Sequence, residues 1–192
     1  MKITDVRTMI LRQNKIEMIG DGSQDTVVIV VETDAGICGV GEVDSAPYVV
    51  KTIIETPASH MACMGLREIL IGEDPLDVER LWRKMYDKSI YYGRRSAVIH
   101  AMSGIDIALW DIIGKYYNVP TAKALGGSYR DKIQAYCSVL MPETEDEVFR
   151  LVEQHQADNR QNYSTQRHHS QVICDILDGT DMPVILMGDF NN

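Results

Sequence analysis

The chain has 192 residues, 45% of them hydrophobic and 24% charged, with a formal net charge of −9. That length admits one domain or two small ones, with enough apolar residues for a sizeable core. The acidic balance argues against non-specific binding of nucleic acid or of an acidic membrane over the whole surface. The densest apolar run, Val27–Val31, is too short to span a bilayer, and the start MKITDVRTM lacks the apolar region of a signal peptide. Cys38, Cys63, Cys137 and Cys174 are scattered and form no CxxC pair, so neither a zinc site nor a disulfide framework is expected. They read as reduced thiols, and a cytoplasmic location is expected.

Three strand-like segments open the chain. Lys2–Arg12 carries Ile3 and Val6 among its apolar positions. Gln13–Asp25 is polar and holds Gly20-Asp21-Gly22-Ser23, a loop composition that cannot pack a core. Thr26–Thr33 is β-branched enough for a buried strand. Asp34-Ala35-Gly36 turns the chain, and Ile37–Val43 returns as a third strand. Gly39 and Gly41 weaken that strand on propensity, so it is expected to bend or to lie close to another backbone.

The period then changes to that of helices. Val49, Val50, Ile53 and Ile54 give a first apolar face, ended by Pro57, and Met61, Met64, Leu66, Ile69 and Leu70 a second. Asp74-Pro75 predicts the next helix, with Asp74 as its N-cap, Leu76, Leu81, Trp82 and Met85 facing inward, and a Glu79–Arg83 surface pair. The strongest signal is Ser96–Tyr117. There Val98, Ala101, Met102, Ile105, Ala108, Leu109, Ile112, Ile113 and Tyr116 recur at three- and four-residue steps. Ser96 is placed to cap it, and Asn118 with Pro120 ends it. His100 reads as a boundary histidine and Asp106 as a solvated or capping aspartate, with packing rather than chemistry explaining the helix. Strands followed by helices predict an α+β unit, an antiparallel strand meander with helices after it, up to about Pro120. Beyond it, Asp131–Leu140 reads as a strand, Glu143–Gln156 as a helix with an acidic start, and Pro183–Phe190 as a buried-type strand.

On these residues the first 150 or so positions resemble a known family. The segments DTVVIVVETDAGICGVGE (25–42), IGEDPLDVERLW (71–82), YYGRRSAVIHAMSGIDIALWDIIGK (91–115) and ALGGSYRDKIQAYCS (124–138) occur in order. Together they are similar to the N-terminal capping domain of the mandelate racemase/muconate lactonizing branch of the enolase superfamily. The resemblance implies a capping domain over residues 1–125 and the first βα step of a barrel over 126–157. It implies Mg²⁺-dependent abstraction of a proton next to the carboxylate of a small acid, most commonly a sugar acid, with a Lys or His as base. Racemisation, cycloisomerisation or loss of water follows. By position, the substrate-contacting loops would be Lys15–Asp25, including Ile19, Asp21 and Ser23, and Ser45–Lys51, including Pro47 and Tyr48.

The barrel chemistry does not fit into this sequence. No Lys-x-Lys occurs in it, and only 60 residues run from Ile133 to Asn192. A full barrel takes about 250 residues. No metal ligand and no base are therefore carried over, and no Mg²⁺ is expected on this chain. The expectation is a truncated or fused family member that is itself inactive. Residues 158–192 read as a foreign tail. MPVILMGDFNN (182–192) resembles the central strand of the endonuclease/exonuclease/phosphatase family. There Asp189 would activate water, Asn191 would hold a phosphate oxygen and His155 would match an upstream histidine. The other metal and C-terminal residues of such a site are missing, so hydrolysis by this part alone is not expected. A third reading is a non-catalytic interaction module, in which Trp110, Ile112 and Ile113 are left partly exposed once no barrel covers them, a surface that favours homo-oligomerisation or aggregation.

Overall fold

The computed structural model describes residues 1–16, 24–130, 146 and 149–150. The chain divides into two compact units, residues 1–17 with 23–129, and residues 18–22 with 130–192. The second lies almost wholly outside the described residues, as do the strand and helix expected over 131–156 and the GDFN strand.

The first unit is α+β. Strands β1 (Ile3–Arg12), β2 (Asp25–Thr33) and β3 (Cys38–Val43) form an antiparallel sheet in the order β1-β2-β3. The β-branched run of β2 takes the centre, where it pairs with a strand along each edge. The pairings Val6↔Val31, Thr8↔Ile29 and Ile10↔Val27, with Val31↔Gly39, Ile29↔Gly41 and Val27↔Val43, put these residues on one face. That face meets the helices.

Helices α1 (Pro47–Glu55), α2 (Leu66–Leu70), α3 (Val78–Lys88), α4 (Ala97–Tyr117) and α5 (Thr121–Ala124) follow. The core joins Val6, Val27, Ile29 and Val31 to Val50 and Ile54 of α1, Leu66 and Leu70 of α2, Leu81 and Met85 of α3, and Met102, Ile105, Leu109 and Ile112 of α4. By length and composition α4 could cross a membrane, but more than half of it is buried within the domain. Its apolar residues are those of a central core helix.

Two glycines let α4 lie directly on β3. A Cβ on Gly41 would stand 1.9 Å from the Gly104 carbonyl oxygen, and one on Gly39 would stand 1.9 Å from that of Ala108. The expected close backbone approach of this strand is thus met by a helix. Asn118 ends α4 in the left-handed conformation (φ +53°), and the Val119 N–H donates to the Gly114 carbonyl at 2.9 Å.

Several local expectations are corrected. Helix α3 begins at Val78, with Asp77 at its N-cap. Asp74 instead accepts the Leu76 N–H at 3.0 Å in a turn one step earlier, because Pro75 removes a donor there and is itself buried. Arg83 pairs with Asp87 at 2.8 Å rather than with Glu79. Ser96 makes no side-chain cap; its backbone (φ +53°, ψ −125°) turns the hydroxyl away from that role. Met61 and Tyr116 are exposed, the first because it lies on the α1–α2 connection and the second because it is in the last turn of α4. Ile112 and Ile113 are buried in the domain's own core, and Trp110 is partly buried against it. The partly exposed apolar face expected of the three is therefore narrowed to Trp110, since Ile112 packs against Gly39 of β3.

Candidate functional site

The two candidate loops leave the same end of the sheet. Antiparallel order places the end of β1, the start of β2 and the end of β3 together, through Arg12↔Asp25 and Val27↔Val43. The Gln13 N–H donates to the Gln24 carbonyl at 2.9 Å and closes the neck of the first loop. Ile19, Asp21 and Ser23 lie beyond that neck, outside the described residues. The second connection, Asp44-Ser45-Ala46, passes from β3 into α1. Ala46 stands in the left-handed region (φ +47°, ψ +60°), an uncommon position for a residue with a Cβ. Its carbonyl accepts the Val49 and Val50 N–H groups at 2.9 and 3.1 Å, so the strained residue also starts the helix. Pro47 follows at the first helical position, where its missing N–H costs nothing, and is buried. Tyr48 is 57% exposed at the head of α1.

An open cleft of about 320 Å³ lies beside the neck, lined by Leu11, Arg12, Gln13, Gln24, Asp25, Thr26 and Glu42. The Thr26 hydroxyl lies 2.8 Å from Glu42 Oε1 and 3.0 Å from the Val43 carbonyl oxygen. It holds a single proton and donates to one of them at a time. The amides, carboxylates and guanidinium of this cleft suit a hydroxyl-rich ligand better than an apolar one. Gln24 and Asp25 lie within the candidate loop 15–25, whereas sequence reading missed Gln13 and Glu42. The signal was there: strand-end positions flanking a polar loop in an antiparallel meander must converge.

Lys51, the last residue of the second candidate loop, is not free to meet a ligand. It lies within α1 and reaches Glu55 Oε1 and Oε2, each at 2.7 Å, and Thr8 Oγ1 at 3.0 Å. The Thr8 hydroxyl donates to Glu55 in turn. Burial alone would raise the Glu55 carboxyl. The hydrogen bonds from Lys51 and Thr8 and the Lys51 charge outweigh it and hold the group below its ordinary value. This triad fastens α1 to β1 and leaves the loop end to Ser45, Ala46 and Tyr48.

Two further candidates lie on α4. His100 is exposed in its first turn, not at a boundary. Asp106 is half-buried rather than solvated, and burial, with the Glu79 charge nearby, pushes its carboxyl up. Asp189, Asn191 and His155 lie outside the described residues. Among the described residues no three His, Cys, Asp or Glu side chains stand close enough together to hold a metal ion.

Comparison with known proteins matches this architecture. Residues 1–126 match the family described as mandelate racemase / muconate lactonizing enzyme, N-terminal domain. The chain is 37% identical over 153 residues to a D-xylonate dehydratase of Haloferax volcanii, covering 77% of this chain and 31% of that one. It is 32% identical over 123 residues to an L-rhamnonate dehydratase of Saccharopolyspora erythraea, covering 64% and 29%. A crystal structure of an enolase from Agrobacterium radiobacter, with sodium and L-malate bound, superposes with a TM-score of 0.57 at 28% identity, covering 71% of this chain and 30% of that one. The chain thus spans about a third of the length of the curated relatives it matches. With the family's N-terminal domain matched over residues 1–126, the chain belongs to the mandelate racemase/muconate lactonizing enzyme family of the enolase superfamily.

Proposed function

We propose that residues 1–125 cap the active site of an acid-sugar dehydratase or a close catalytic relative, and that 126–157 begin its barrel. The observation that carries this reading is the convergence of both candidate loops on one end of the sheet, beside a cleft of hydroxyl-binding groups. The 153-residue similarity to the D-xylonate dehydratase is longer than the 126-residue family match, which supports a continuation into the barrel. The cap's own work is to orient and enclose. The Gln13–Gln24 neck and the strained Ala46 fix where the loops start, and Tyr48 presents an exposed ring and hydroxyl beside them. Proton abstraction and Mg²⁺ belong to the barrel in this reading. The 192 residues by themselves therefore do not turn over a sugar acid.

The test is a graft. Residues 1–126 replace the N-terminal domain of the Haloferax D-xylonate dehydratase, and the hybrid is assayed with Mg²⁺ on D-xylonate and L-rhamnonate. The expected result is turnover of a sugar acid, with Tyr48→Ala raising KM by about tenfold and changing kcat less. A folded hybrid without turnover, or one indifferent to Tyr48, would overturn the assignment. Turnover by the 192-residue chain alone would overturn the division of labour. A second reading, metal-dependent phosphodiester cleavage by Asp189, Asn191 and His155, has the GDFN sequence as its support. It requires a cleavage that Asp189→Asn abolishes.

A further inference from the structure

The seam between β3 and α4 holds a charged pair for which the capping role has no use. Among the described residues β3 is an outer strand of the sheet. Such a strand offers unpaired N–H and C=O groups to another chain. Here two of them are taken by side chains from α4. The Val40 N–H donates to Asp111 Oδ2 at 2.9 Å, so it points away from β2. Lys115 Nζ donates to the Cys38 carbonyl at 2.9 Å and to Asp111 Oδ2 at 2.8 Å. Residues 38 and 40 lie two apart, so their outward groups lie on the same edge. Asp111 and Lys115 lie one helical turn apart, which matches them to that spacing.

The pair is unusual for its burial. The Asp111 side chain is 5% exposed and that of Lys115 19%. Taking two charges from water offsets most of what their attraction returns, so stability is a weak reason for such a pair. Position gives a better one. The carboxylate and ammonium stand where the carbonyl and N–H of an added strand would stand. The strand they guard, CGVGEV, has glycines at two of its six positions and no bulky side chain there to fix a register. Antiparallel pairing of β3 with β3 about Val40 would be a symmetric contact between two identical chains.

We propose that the Asp111–Lys115 pair closes the β3 edge against strand addition by a second copy of this chain. The experiment compares Asp111→Ala, which bares the Val40 N–H, with Asp111→Asn, which keeps an acceptor there and loses only the charge. The full 192-residue chains are followed by sedimentation across concentration, and the Val40 amide by hydrogen exchange. In Asp111→Ala the Val40 amide should exchange at least about tenfold faster when dilute, since one hydrogen bond is lost. At high concentration that variant should self-associate and regain the protection. Asp111→Asn should behave as the parent in both. Should Asp111→Ala unfold, Lys115→Met bares the Cys38 carbonyl alone and is compared with Asp111→Asn in the same way. Unchanged sedimentation in the bared variant, or equal self-association in the bared and Asn variants, would overturn the proposal.

Discussion

The two sides of β3 differ in how much change they tolerate. Along α4 the strand is fixed by atoms that cannot move, since main chain meets main chain with no side chain between. At its C-terminal end it runs into Asp44-Ser45-Ala46, where Tyr48 is exposed and a polar cleft is open. The same six residues thus anchor a core and present a loop. The seam sets where the loops begin, and the loops are left to differ in what they meet.

Gly41→Val should have the largest effect. Its Cβ would stand 1.9 Å from the Gly104 carbonyl oxygen, far inside van der Waals contact, and neither backbone can yield without moving α4 off the sheet. A cost of about 3 kcal/mol is expected, enough to unfold a marginal domain, and urea denaturation followed by circular dichroism checks it. Acid comes next. Glu55 is held below its ordinary value because the hydrogen bonds and charge of its partners outweigh burial. Glu73 is held below chiefly by hydrogen bonds from Lys84 and Arg80. A carboxyl depressed in the fold contributes stability that is complete above its unfolded pKa, about 4.3 for Glu, and lost as pH falls through the lower folded value. Asp106, raised by burial, has the opposite sign and favours the fold only on the acid side. The melting temperature should therefore fall below about pH 4, and Glu55→Gln should flatten that fall. At the loop end Tyr48→Ala should change stability by less than about 0.5 kcal/mol, whatever it does to a ligand.

The fold was legible where a local pattern had one meaning. The β-branched run of β2 and the three- and four-residue steps of α4 each specify one element. The two glycines of β3 announced a close neighbour. Signals with two meanings misled. Asp74-Pro75 has the composition of a helix start but forms the turn before one. Ser96 has the right side chain for a cap and the wrong backbone. The Asp111 contact to Val40 spans 71 positions, and nothing local to either residue announces it. Resemblance points to the candidate loops, while the cleft residues follow from strand register. The sequence does not reveal that Glu55 and Thr8 already hold Lys51.

Native-state hydrogen exchange tests the contrast between seam and loop end most directly. Amides of Val28–Val31 in β2 and Ile105–Ile112 in α4 should exchange only through global unfolding, with one shared free energy. Those of Gln13 and Ser45 should exchange through small local openings that leave the core intact. Protection of Gln13 and Ser45 equal to that of the β2 and α4 amides would contradict the account, because the loops would then be part of the same rigid block as the seam.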